Sequence, residues 1–135
     1  MNSFKYIGCF FDREQVMRLA EKQRPERLFR PIVYPHVTFA YRPAEVPTAL
    51  FGRRVTVQVV GYACDGKNEA FAVAFDRLPP ELMPLAGAIA CPHITLSVAA
   101  DAEPVDSGRL TFQPIAPFTL EGVFGGIDRA GRLHT

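Results

Sequence analysis

One mixed domain of strands and two short helices, laid out as two similar halves, is the architecture this sequence predicts. Three observations carry it. The chain has 135 residues, too few for two independently cored domains. Its composition, 48% apolar and 21% charged, is ordinary for a globular protein and argues against disorder. Finally, the order strand, helix, strand, strand reads twice, and each repeat carries a Pro-His pair at its second strand. Such a duplication, roughly residues 1–64 and 69–128, implies two lobes related by a pseudo-two-fold axis.

Phe4 to Phe11, rich in Phe, Tyr and Ile, reads as the first strand. Asp12 is a natural N-cap, with Gln15 three residues on in capping-box position. Val16, Leu19 and Ala20 then give a helical stripe from Arg13 to Gln23, and Pro25 ends it. A basic stretch with Arg24, Arg27 and Arg30, partly offset by Glu21 and Glu26, leads to a strand at Tyr34–Tyr41. After a Pro-punctuated loop, Val55, Val57 and Val59 alternate with Thr56 and Gln58 in a strand at Arg54–Cys64. Asp65 to Asn68 reads as a hairpin turn around Gly66. The second half follows with a strand at Glu69–Phe75, a short helix at Glu81–Ala88, a strand at Pro92–Ala99 and a late strand from about Phe118. The tail is glycine-rich, with a turn in the DRAGR stretch, and His134 is expected to be exposed or disordered.

Composition also narrows the function. Fifteen basic residues against fourteen acidic ones leave a formal charge of +1. That argues against broad binding of duplex DNA, whose affinity rests on phosphate contacts, but not against a small or terminal phosphate. Cys9, Cys64 and Cys91 are odd in number and lack CxxC spacing, so neither a disulfide framework nor a zinc ribbon is expected. No apolar span reaches the roughly 18 residues of a membrane helix, and the N-terminus lacks signal-peptide form. The resulting expectation is a cytoplasmic monomer with no membrane partner. The tail glycines do not form a dinucleotide fingerprint.

Two of the three histidines sit in near-identical pentapeptides, Pro35-His36-Val37-Thr38-Phe39 and Pro92-His93-Ile94-Thr95-Leu96. With seven threonines in the chain, a Thr two places after a given His is roughly a one-in-twenty accident, and a matched pair is far rarer. The two-residue period of a strand puts His36 with Thr38, and His93 with Thr95, on one face, while the apolar neighbours bury on the other. The prolines suit strand starts. If a two-fold axis brings the strands together, two imidazole–hydroxyl pairs face one groove. An imidazole with a pKa of about 6.5 can take a proton from water or a hydroxyl, and a protonated one can give a proton to a leaving oxygen. The hydroxyls can donate to phosphate oxygens as charge builds there.

At these residues the chain resembles the 2H phosphoesterase superfamily, whose signature is two H-Φ-T-Φ motifs (Φ apolar), and which includes LigT-like 2′-5′ RNA ligases and cyclic phosphodiesterases. The resemblance implies an α+β fold: a bilobal module of antiparallel sheets with flanking helices and pseudo-two-fold symmetry. It also implies metal-independent opening or closing of 2′,3′-cyclic phosphates and 2′-5′ linkages. His36 and His93 would then be acid and base, and Thr38 and Thr95 would hold the phosphate. No cofactor is implied. The motifs lie only 57 residues apart, which favours a small nucleotide or RNA end over tRNA.

Other readings compete. Tyr34 and Ser97 are in phase with the motifs and could stack a base or bind phosphate; packing and backbone bonding are the plainer roles. Arg42, Arg30 and Lys67 are candidates for charge neutralisation, against solvated surface positions. Cys91, in phase with His93, reads as a groove-lining or core residue rather than a nucleophile. A metal site lacks supporting ligands around either histidine. The principal alternative is a non-catalytic module that binds a nucleotide or RNA end.

Overall fold

The computed structural model describes residues 4–23, 30–101, 107 and 110–135. Strand β1 is Phe4–Phe10, and the chain turns from it into helix α1, Arg13–Glu21. The Asp12 carboxylate accepts the Gln15 N–H at 2.9 Å, a cap typically worth about 1 kcal/mol. Val16 and Ala20 form the buried stripe, and the helix stops two residues short of the predicted Gln23. Next come β2, Arg30–Pro31, and β3, His36–Tyr41. Strand β4 is Arg54–Cys64, joined by a tight turn to β5, Asn68–Arg77. In that turn the Asp65 carboxylate accepts the N–H groups of Lys67 and Asn68, at 2.8 and 2.7 Å.

The second predicted helix divides into a 3₁₀ turn, Pro80–Leu82, and α2, Met83–Gly87. Strand β6 is His93–Val98, β7 is Gln113–Asp128 and β8 is Leu133–His134. Strand β7 starts well before Phe118 in spite of Pro114 and Pro117. A register shift opposite Val60 carries residues 115–117 out of the ladder, so Pro117 loses no hydrogen bond there. The tail is paired: β8 lies against Gly126 and Ile127, and His134, exposed as expected, belongs to that strand.

Among the described residues eight strands form one sheet in the order β2-β6-β5-β4-β7-β1-β3, with β8 added beside β7, and each of these pairings is antiparallel. The fold is therefore α+β, with a nearly closed, barrel-like sheet: β3 and β6 approach each other without pairing. From β3 to β6 the order reads the same from either end when β1 exchanges with β5, β3 with β6 and β4 with β7. The match extends to register. Phe10 faces His36 and Gly8 faces Thr38, as Ala72 faces His93 and Ala70 faces Thr95. A bulge follows at the corresponding step of each pair, Ile7/Gly8 and Glu69/Ala70. Inside lie Ile7, Cys9, Val37, Val55, Val57, Val59, Phe71, Ile94, Leu96, Leu120 and Phe124. Among the described residues no helix is long and apolar enough to cross a membrane.

Candidate active site at the seam of the sheet

Each motif strand opens in the same way. Pro35 and Pro92 lack N–H groups, but their carbonyls extend the ladders: Pro35 accepts from Phe11 at 2.9 Å and Pro92 from Val73 at 3.1 Å. Val37 and Phe39, like Ile94 and Leu96, bury into the core, which turns His36 and Thr38, and His93 and Thr95, to the other face. Close approach of β3 to β1 depends on Gly8, where a Cβ would fall on the Val37 carbonyl oxygen.

The imidazoles are held alike. Nδ1 of His36 lies 2.7 Å from the Tyr34 carbonyl oxygen, and Nδ1 of His93 lies 2.9 Å from that of Cys91. A carbonyl only accepts, so Nδ1 carries the proton in both rings and Nε2 is left for chemistry. The charge of His93 reaches His36, and Thr38 and His93 line one cleft of about 260 Å³ between β3 and the α2–β6 connection. The structure thus brings residues of both motifs to the seam where the sheet fails to close.

The surroundings of the two rings differ. His36 stacks on Tyr6, with centroids 4.6 Å apart and planes 24° apart, and touches Phe10 at 5.4 Å. At the position facing His93, corresponding to Phe10, stands Ala72. Loss of water lowers the pKa of His36 below the ordinary imidazole value; the Tyr34 carbonyl works against this, and the charge of His93 adds to it. Burial, with the Tyr41 phenol beside it, pushes Tyr6 up to about 12. His36 is not among the residues that line the cleft.

The remaining predicted residues are distributed unevenly. Thr38 is half-buried at the cleft, whereas Thr95 is only 6% exposed. Ser97 is buried and donates to Glu69 Oε1 at 2.7 Å, while Tyr62 donates to Oε2 at 2.5 Å. The bulge at Glu69/Ala70 sets Glu69 opposite Ser97, so that hydroxyl serves a buried carboxylate rather than the cleft. Tyr34 meets His36 through its backbone; the ring stacked on that imidazole belongs to Tyr6. Cys91 lines the cleft as a free thiol. Lys67 pairs with Asp101 at 3.2 Å. Arg42 lies past the far end of β3, in a separate depression with Phe4, Lys5 and Arg129. Arg24 and Arg27 fall outside the described residues, as does the side chain of Arg30.

Tyr6, Phe10 and Glu69 were not singled out by the sequence, because cross-strand partners depend on register and bulges that no local pattern reveals. Among the described residues, no three His, Cys, Asp or Glu side chains gather to hold a metal ion. Neither a family model nor a curated protein matches the chain.

Proposed function

We propose that this protein is a metal-independent phosphoesterase of the 2H type, hydrolysing a 2′,3′-cyclic phosphate or a 2′-5′ phosphodiester of a small nucleotide or RNA end. The observation that carries the reading is the equivalence of the two motifs: two imidazoles, on register-matched strands, each with Nδ1–H given to the carbonyl two residues back. The palindromic strand order and the paired bulges support the bilobal, pseudo-symmetric fold that goes with it.

The unequal surroundings divide the roles. His36, kept neutral by burial, takes a proton from water at Nε2 as the oxygen attacks phosphorus. Protonated His93 gives its Nε2 proton to the leaving sugar oxygen as the P–O bond breaks, and Thr38 donates a hydrogen bond to a non-bridging oxygen. Thr95, being buried, has the smaller part in that contact. Each proton transfer is typically worth about 10²–10⁴ in rate. The reverse step exchanges the roles of the two rings.

A binding module without turnover is the second reading, and it draws on the cover that Tyr6 places over His36. One assay separates the two: hydrolysis of the four nucleoside 2′,3′-cyclic monophosphates with and without EDTA, wild type beside His36→Ala/His93→Ala. Turnover by the wild type alone is expected. Turnover abolished by EDTA, or retained by the double variant, overturns the paired-histidine mechanism; saturable binding without product favours the binding module.

A further inference from the structure

The depression beyond the end of β3 has a volume of about 370 Å³, and its lining is Phe4, Lys5, Arg42 and Arg129. All its charged residues are cations, and all three are exposed. Four other surface cations meet carboxylates: Arg53 with Glu81, Arg54 with Glu121, Lys67 with Asp101 and Arg132 with Asp128. Among the described residues Lys5, Arg42 and Arg129 have no such partner. Asp128, next to Arg129 in sequence, is already occupied by the Ala130 and Arg132 N–H groups and by His134 Nε2. Three like charges around one concavity, with no acid among them, raise a local positive potential that an anion relieves.

The backbone strengthens the case. Arg42 is the one described non-glycine residue with positive φ, at 45°, and its N–H donates to the Lys5 carbonyl at 2.9 Å. Left-handed backbone is disfavoured for a residue with a Cβ, a cost that glycine would avoid. An arginine held there roots a guanidinium at the depression against β1.

Position along the strand then identifies the anion. Tyr41, 55% exposed, lines the seam cleft, and Arg42, the next residue, lines the cationic one, so consecutive residues of the chain line the two depressions. From Thr38 to Arg42 the strand advances about 13 Å at ~3.3 Å per residue. A mononucleotide with one phosphate cannot occupy both ends of that span. A short single strand, which carries a phosphate at every nucleotide, does. We propose that the Lys5–Arg42–Arg129 depression is a second phosphate site, holding a backbone phosphate of a short RNA whose end lies in the seam cleft. The nature of that end rests on the phosphoesterase reading; the anion site rests on the unpaired cations.

The test is binding rather than turnover. A fluorescein-labelled RNA tetranucleotide with a terminal 3′-phosphate, and the equally labelled mononucleotide, are titrated by fluorescence polarisation across a salt series. Wild type is expected to bind the tetranucleotide at least tenfold more tightly. Lys5→Gln/Arg129→Gln, two exposed changes, should erase that length advantage. Arg42→Gly, which suits the positive φ while removing the guanidinium, should weaken the tetranucleotide in the same direction. The slope of log K against log salt should fall by about 0.7 for each phosphate that is no longer neutralised. Equal affinity for both lengths in wild type, or an unaltered tetranucleotide affinity and slope in the variants, overturns the proposal. Absent hydrolysis of both the cyclic phosphates and a 2′-5′-linked dinucleotide, with tetranucleotide binding still dependent on Lys5 and Arg129, overturns the phosphoesterase reading alone and supports the phosphate site.

Discussion

His36 and His93 share a motif and a tautomer-setting hydrogen bond but not an environment, and that difference is open to measurement. Aromatic cover from Tyr6 and Phe10 keeps water from His36, so its proton leaves below the ordinary imidazole pH. Tyr6→Ala uncovers the ring, and its titration, followed by the ring C–H resonances in NMR, should move up toward about 6.5. If hydrolysis is present, the acid limb of its pH profile should move upward with it. A titration that stays put in Tyr6→Ala would show that the stack does not set the proton affinity. His36→Ala and His93→Ala should each remove nearly all turnover, measured on the cyclic monophosphate that wild type cleaves best; near wild-type activity in either would break the paired mechanism.

At the scale of elements, the placement of β3 rests on Gly8. A methyl group there meets the Val37 carbonyl and the Thr38 Cα, backbone atoms of β3 with little room to yield. Gly8→Ala is expected to cost about 1–3 kcal/mol in urea unfolding, the usual range for overpacking, and to reduce any turnover because His36 and Thr38 ride on β3. Stability equal to wild type would mean that the two strands separate freely. The β7–β8 turn hangs on Asp128, which receives His134 and two backbone N–H groups and is pulled down to about 2. A carboxyl with a lowered folded pKa lends stability above its unfolded pKa and loses it as pH falls through the folded value. Amide exchange in β8 should therefore accelerate as pH falls from about 4 toward 2, after correction for intrinsic exchange, and Asp128→Asn should show fast exchange already at neutral pH. A tail equally protected in that variant would locate its anchor elsewhere, in the Phe4–His134 contact for instance.

Over the whole molecule, a single apolar interior joins both halves. Phe124 on β7 is fully buried, stacked on Phe39 of β3 at 5.7 Å and set edge-on to Phe51 at 5.5 Å. It links the first motif strand to the middle of the sheet. Phe124→Ala should cost about 3–5 kcal/mol, read from the shift in denaturation midpoint at constant m. A loss confined to one half, with two separate transitions, would argue against a common core.

Much of this was legible along the chain because it is local. Alternation of Val55, Val57 and Val59 marked β4, Asp12 marked the start of α1, and Asp65–Gly66 marked the hairpin; each depends on neighbours within a few residues. The repeated Pro-His-Φ-Thr-Φ pattern likewise singled out the strands that meet at the seam, since a period of two assigns each side chain a face. Pairing register could not be read, because bulges at Ile7/Gly8 and Glu69/Ala70 alter which side chains meet without leaving a mark in composition. Tertiary structure alone therefore put Tyr6 on His36, Glu69 on Ser97, and Arg42 beside Lys5 and Arg129, since contacts between residues far apart in the chain are settled only when strands pair and the sheet curls.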